Sequence, residues 1–594
     1  MAVKRNQLVT RLRSFQPVHA GRGEEGVFEH TDESHPMFPV ATLDYLAKIV
    51  ALPETRTVVL TGDAGHGKTS LCASLLEHLG DERLAAREKI LNHGDGRWPV
   101  ATVGEGRPLY VLKDLSASIP EAASARLVEL LSPPDDGVAI LCANEGQLRS
   151  SITLDTSRAT KVILDTLARG IDAGAVRSSD GALYVINLNY QSVAPERESG
   201  GLVDWAVRTW AADRRSWQIC KECDARAICP IFANHAALSD PVRGMSRRNA
   251  VRDLFRAAER TGEIITTRQV LNVVSFAVTG GLVCADVERR YSNSHQDTTW
   301  QAPYLYHQAL FGDLLTGEKR QKLPTMSALR RLDPGHVSRR KVDDSLDPGT
   351  ADVAFKPYVP GSDGQPRTTS RKEAQRDAVR LRSLMVFLRR ADYFDSAPTG
   401  RLARLGLAGG DDFVAIGAGR AATSTVVRDE VLKGLEAVQG IHRPGKAPEF
   451  LVLDPAFFSH RTRAAVISRR IKSRTVNVVD QVTQWGMATP MGAPPPELNQ
   501  AVEWLNRTVF VRLPGPDGAT ISVPLSMLRF ELLKRWAAGL RSGNQHEAEI
   551  RGITGTLAGL TLASDDHEDI RVLVGGRLFT LMIDVGDLIR SGDA

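Results

Sequence analysis

Cysteine is scarce, with six residues in 594, too few for a fold held together by disulfides. No uninterrupted apolar run reaches about 18 residues, so no membrane span is expected. The N-terminal stretch MAVKRNQLVTRLRSF is basic but lacks the apolar core of a signal peptide. Acid and base nearly cancel: the formal net charge of +5 names no partner by itself. There is no internal repeat. The C-terminal half holds no clustered acidic triad and no H-x-H metal set, so nothing in it reads as a nuclease. What remains is a chain 42% hydrophobic and 24% charged, that of an ordinary globular protein, long enough for roughly three or four domains.

After a polar extension over residues 1–37, residues 38–199 alternate short apolar runs with helical patterns. The runs lie at 57–61, 98–103, 108–114, 137–144 and 182–188. Continuous apolar strands interleaved with helices predict a five-stranded parallel sheet covered on both faces, an α/β core. Residues 200–325 carry helical periodicity and predict a helical subdomain, 326–485 a basic and mainly helical region, and 486–594 an α/β C-terminal domain. Pro- and Gly-rich stretches at 355–370 and 486–497 read as linkers or exposed loops.

The stretch TVVLTGDAGHGKTSLCASLLEHL fits G-x-x-x-x-G-K-[ST] at Gly62, Gly67, Lys68 and Thr69. It follows an apolar run and opens a helix, the context in which backbone N–H groups cradle phosphates. Gly62, Asp63, Ala64, Gly65, His66, Gly67, Lys68, Thr69 and Ser70 are therefore the candidate nucleotide-binding residues. Lys68 is expected on the β- and γ-phosphate oxygens, and Thr69 on Mg²⁺. Asp114, which ends the run LYVLKD, is the candidate second Mg²⁺ ligand. The next position, where an acid would polarise the attacking water, is Leu115, which sets hydrolysis against mere binding. Asn144, after the run VAILCA, is a candidate to orient the γ-phosphate or its water, and Glu145 beside it is the local substitute for the missing acid. Thr266 or Thr267 reads as a helix N-cap. This leaves Arg268 in the first turn, where the helix dipole disfavours a cation unless it reaches an anion. Arg158, Arg169 and Arg177 are positions for an arginine donated to a neighbouring subunit.

Cys220, Cys223 and Cys229 crowd into ten residues. A Cys-x-x-Cys knuckle with a third Cys suits a structural Zn²⁺ in a reducing cytoplasm, with His235 or Cys284 as candidate fourth ligand, reduced core thiols or an iron–sulfur cluster being the alternatives. Farther on, Arg461, Arg463, Arg469, Arg470, Lys472 and Arg474 fall in one stretch without an acid, a pattern that suits contact with a nucleic-acid backbone or, alternatively, a solvated or protein-docking face. Arg380, Arg382, Arg389 and Arg390 add basic charge upstream, with acids interspersed.

The order of phosphate loop, strand-end Asp, strand-end Asn and helix-start Arg resembles the AAA+ class of P-loop ATPases over roughly residues 38–290. The finer set TGDAGHGKT, LKDLSAS, CANEGQLR, VINLN, CKECDARAICPIFAN and LRRLDPGHVSRRKVDDSL is similar to ATPase subunits of bacterial phage-defence systems, phosphorothioation-dependent DNA restriction systems among them. The resemblance implies ATP and Mg²⁺ as cofactors and a homo-oligomer with ATP at subunit interfaces. It further implies a cytoplasmic multi-component restriction machine with DNA as its object. The alternative expectation is a nucleotide-gated sensor or scaffold with little hydrolysis.

Overall fold

The computed structural model describes residues 3–16, 41–115, 125–150, 175–195, 201–293, 300–344, 371–417, 425–441, 449–453, 464–480, 508–540 and 546–593, apart from short breaks inside these ranges. The described residues form two compact units. Of these, one takes the residues up to 406 except 260–262; the other takes 260–262 and the described residues from 407 onward. The helix Pro324–Arg331 runs across the boundary expected at 325/326.

The first unit is built on a mixed, mostly parallel sheet. Its strands are β1 (Thr57–Thr61), β2 (Asp95–Val103), β3 (Arg107–Leu112), β4 (Val138–Ala143), β5 (Ala175–Arg177) and β6 (Leu183–Asn187), in the spatial order β2-β3-β4-β1-β6-β5. The four central strands run parallel, with Thr61 level with Ala143 on one side and Asn187 on the other. Every residue of β1, β4 and β6 is buried. That burial is why TVVLT, VAILCA and LYVIN are unbroken apolar runs rather than alternating ones.

The expected five-stranded parallel sheet needs correction at both edges. β2 is antiparallel to β3. Only Gly104–Gly106 separates the two strands, and so short a connection can turn a hairpin but cannot make a parallel crossover. Gly104 and Gly106 have φ of +54° and +85°, the left-handed backbone that glycine adopts freely. Pro99 and the 65%-exposed Trp98 lie on this strand, as edge strands tolerate. At the other edge the three-residue β5 pairs antiparallel to β6, a strand too short to stand out in the sequence.

The helical part of the unit centres on Thr267–Thr279, of which Val270 to Thr279 are all buried. Buried on every face along this stretch, the helix is a core element. Among the described residues it begins the one helical stretch, Thr267–Asn293, that is long and apolar enough to cross a membrane, and that stretch is mostly buried inside the protein. The long helix Arg371–Asp395 is anchored by Arg390, which is 1% exposed. Its guanidinium donates to Asp333 Oδ1 (2.9 Å), Asp313 Oδ2 (2.6 Å) and Gln308 Oε1 (2.8 Å), and lies 4.5 Å over the ring of Phe311. Arg389 forks onto Asp343 at 2.8 and 2.9 Å. The basic look of this helix is therefore partly internal pairing; LDPGHVSRRKVDD supplies Asp333 and Asp343, and Asp313 comes from upstream of it.

In the second unit, β7 (Phe450–Leu453) pairs with β9 (Arg469–Lys472). β10 (Asn477–Asp480), β11 (Thr508–Pro514) and β12 (Thr520–Ser526) form an antiparallel sheet. β8 (Ala464–Ile467) joins a second antiparallel sheet with β13 (Asp569–Val574), β14 (Arg577–Asp584) and β15 (Asp587–Asp593). The described residues between 450 and 480, in a region expected to be mainly helical, are thus mainly strand. Their pairing partners lie from 16 to 110 positions away in the chain, beyond the reach of local periodicity.

Candidate functional site

The carboxyl ends of β1, β3, β4 and β6 lie at one edge of the sheet, with Asp114 just beyond β3, Asn144 directly after β4 and Asn187 closing β6. In open α/β sheets this edge is where ligands bind. β1 leads into Gly62–Gly67, whose three glycines have φ of +136°, +96° and +80°. Two of them could not be replaced cheaply. A Cβ on Gly62 would meet Asn189 Oδ1 at 3.1 Å, and one on Gly65 would meet Thr266 Oγ1 and Arg268 Cβ at 3.1 Å. The loop ends in the helix Lys68–His78, whose first N–H groups receive no side-chain cap. Such an end carries partial positive charge and open donors.

Lys68 folds back over this loop. Its Nζ donates to Gly62 O at 2.6 Å, Asp63 O at 3.1 Å and Asn144 Oδ1 at 2.9 Å. Burial pulls its pKa below the ordinary lysine value, partly offset by the neighbouring charges of Cys142, Asp63 and Asp114. An ammonium among neutral oxygens is incompletely neutralised, the condition in which an anion is welcome.

Asp63 is held by Asn189, which accepts from Asp63 N at 2.7 Å and donates to Asp63 Oδ1 at 3.3 Å. Asn187 Oδ1 in turn accepts from Asn189 N at 3.1 Å. Neither asparagine is among the sequence-derived candidates. The signal was present: a polar residue directly after four apolar ones, LYVIN, as at Asn144. The helix Thr267–Thr279 reaches the loop from the other side. Thr266 is its N-cap, in a capping box with Gln269. Arg268 N donates to Gly65 O at 3.0 Å, and Thr267 Oγ1 to His66 O at 3.4 Å. The Nε of Arg268 is shielded from solvent without a hydrogen-bond partner among the described residues.

Asp114 is exposed beyond β3, whereas Leu115 is buried in the core with Val59, Leu141 and Leu148. Position 115 therefore faces the interior, and an acid there would meet apolar side chains rather than a water. Thr69 is half-buried and Ser70 exposed at the start of the helix. A hydroxyl and a carboxylate at one sheet edge fit a divalent cation. Glu145, Arg158 and Arg169 lie outside the described residues, and Arg177 is exposed on β5.

The cysteines separate into two groups. Cys72 on the loop helix and Cys142 on β4 are buried with their Sγ atoms 3.5 Å apart. Cys220, Cys223, Cys229 and Cys284 form the other group; Asn6 donates from Nδ2 to Cys220 Sγ at 3.3 Å and from its backbone N to Cys284 Sγ at 3.5 Å. His235 is engaged otherwise. Its ring stacks on Trp217 at 4.8 Å, and its Nδ1 bonds Ala211 O at 2.7 Å. Among the described residues, no three His, Cys, Asp or Glu side chains stand in metal-holding geometry as they are.

Of the basic candidates, Arg461 and Arg463 lie outside the described residues. Arg469 donates to Pro514 O at 2.8 Å, and Arg470 lies 4.1 Å over the Phe450 ring. Lys472 and Arg474 are exposed. Of the four described residues of this stretch, Arg469 and Arg470 are thus fastened to their own unit. Comparison with known proteins adds no relative: no family model, curated protein or solved structure matches the chain.

Proposed function

We propose that the first unit is the core of a P-loop ATPase of AAA+ type. In this reading, the loop Gly62–Ser70 binds the phosphates of ATP. The observation that carries it is the position of Lys68, whose amine bridges the loop carbonyls and the strand-end Asn144. Sequence pattern alone put Lys68 and Asn144 in one site, and a coincidental glycine-rich turn has no reason to bring them within one hydrogen bond. On nucleotide binding, the amine leaves neutral oxygens for phosphate oxygens. Asn144 is thereby released to face the terminal phosphate or its attacking water. Thr69 and Asp114 would hold Mg²⁺, which supplies neutralisation of phosphate charge. Arg268, at the start of a helix fastened to Gly65, is placed to follow the nucleotide state of the loop and to transmit it into the helical core.

Turnover needs a base or water-positioning residue that Leu115 cannot be, and Asn144 with Glu145 is the pair proposed for it. Burial of Leu115 is also the observation favouring a second reading, a nucleotide-gated scaffold with little hydrolysis. The two part on one assay: steady-state phosphate release by the full chain, with and without DNA, in wild type and in Glu145→Gln. Turnover that falls at least about tenfold in Glu145→Gln supports the ATPase; ATP binding with no release in wild type leaves only the scaffold.

Service in a cytoplasmic antiphage or DNA-restriction complex, as a homo-oligomer acting with partner effectors, rests on the motif resemblance. The exposed Lys472 and Arg474 are the surface through which DNA would be met. Loss of phage protection on Lys68→Ala, in cells carrying the chain with its neighbouring genes, is the expected result. Protection unchanged by that substitution would remove the defence role.

A further inference from the structure

The second cysteine group sits where four element ends meet. Cys220 lies in the short helix Gln218–Lys221, and Cys223 precedes the 3-10 turn Asp224–Ile228. Cys229 is the N-cap of the helix Pro230–Leu238, its Sγ accepting from Phe232 N at 3.4 Å. Cys284 opens the helix Cys284–Asn293, which packs against the same 3-10 turn. None of the four is in a disulfide. Cys223 N donates to Cys220 O at 3.3 Å, closing the Cys-x-x-Cys turn on itself.

Asn6 supplies the second observation. It is 2% exposed and spends two N–H groups on two of these sulfurs, from segments 64 positions apart. A neutral thiol is a weak acceptor, poor return for two buried donors, while a thiolate is a strong one. Several thiolates cannot share a buried site without a cation to neutralise them. Four sulfurs with a Cys-x-x-Cys knuckle are the donor set of tetrahedral zinc.

We propose that Cys220, Cys223, Cys229 and Cys284 hold a structural zinc ion, with Cys284 and not His235 as the fourth ligand and Asn6 donating to two of the bound sulfurs. The thiols close up on the ion by side-chain rotation, since they do not stand at ligand spacing without it. The ion fastens the N-terminal segment, through Asn6, to the knuckle and to the helix Cys284–Asn293. The helix Gln7–Ser14, which Asn6 caps, packs against Thr267–Thr279, so the site braces the scaffold that carries Arg268 without any part in chemistry.

The test is the metal content of the full-length chain purified without chelator, measured by elemental analysis. About one zinc per chain is expected, falling to under about a fifth in Cys220→Ser and in Cys284→Ser, and retained in His235→Gln. Zinc-edge X-ray absorption of the wild-type chain answers the same question should a variant fail to fold. Four sulfurs at about 2.3 Å are expected. Substoichiometric zinc, iron in its place, a nitrogen in the first shell, or loss in His235→Gln with retention in Cys284→Ser would each overturn the assignment.

Discussion

Lys68 and Arg390 are two sequestered cations in the same unit, and they are satisfied in opposite ways. Arg390 is ringed by the carboxylates of Asp333 and Asp313. Burial works against its charge, but those carboxylates outweigh it and hold its pKa above the ordinary arginine value. Lys68 has three neutral oxygens in hydrogen-bond reach, and there burial wins, so its pKa is lowered. The first arrangement is closed: each of the three guanidinium nitrogens donates to a fixed side-chain partner, and its work is to fasten a helix. The second is open, and in the proposed reading its charge is held in reserve for the phosphates of ATP. The same physical terms with different partners separate a structural cation from a binding one.

That contrast can be broken at either end. The largest effect is expected at the closed end. Arg390→Ala strands Asp333, whose side chain is 1% exposed, and should cost about 3–5 kcal/mol of stability, as removal of one partner of a buried pair does. Denaturant titration measures it, and a loss under about 1 kcal/mol would show that the network is not structural. Asn144→Asp turns the open site toward the closed kind by giving Lys68 a carboxylate. Stability should hold or rise slightly while ATP affinity falls about tenfold, near 1.4 kcal/mol, because the carboxylate competes with the triphosphate. Tighter ATP binding in this variant would contradict the open-site reading.

Asn189→Ala removes the acceptor of Asp63 N and loosens the loop, with an expected loss of about 0.5–1.5 kcal/mol in ATP binding. Calorimetry is the readout. The smallest effect is the pH dependence. Because the folded-state pKa of Lys68 lies below its ordinary 10.5, the charged amine carries a stability penalty at low pH that is relieved as pH rises through the folded value. ATP affinity should correspondingly decline at alkaline pH before 10.5 is reached. In Asn144→Asp the decline should move to higher pH.

How much of this was readable in the sequence follows from how local each feature is. The loop, its helix and Asn144 come from contiguous patterns, a glycine motif and a polar residue closing an apolar run, and the parallel register then sets them side by side. The role of Leu115 was legible only as a missing acid; its burial depends on which way the chain turns after β3. β2 was read as parallel because its composition is strand-like, although Gly104–Gly106 already allowed only a hairpin. Arg390 looked like part of a basic surface because its acids lie 57 and 77 positions away. Cys284 was one of two possible partners for the knuckle, and only the fold brings it, with Asn6, to the other three thiols.

The account stands on Lys68 as the cation that meets the triphosphate. Calorimetric titration of ATP with Mg²⁺ into the full chain and into Lys68→Ala tests it most directly. The account predicts saturable binding by wild type, at least about 100-fold weaker in the variant (about 2.7 kcal/mol), with the two proteins equally stable to within about 1 kcal/mol. Equal affinity in two folded proteins, or no binding by wild type, would contradict it.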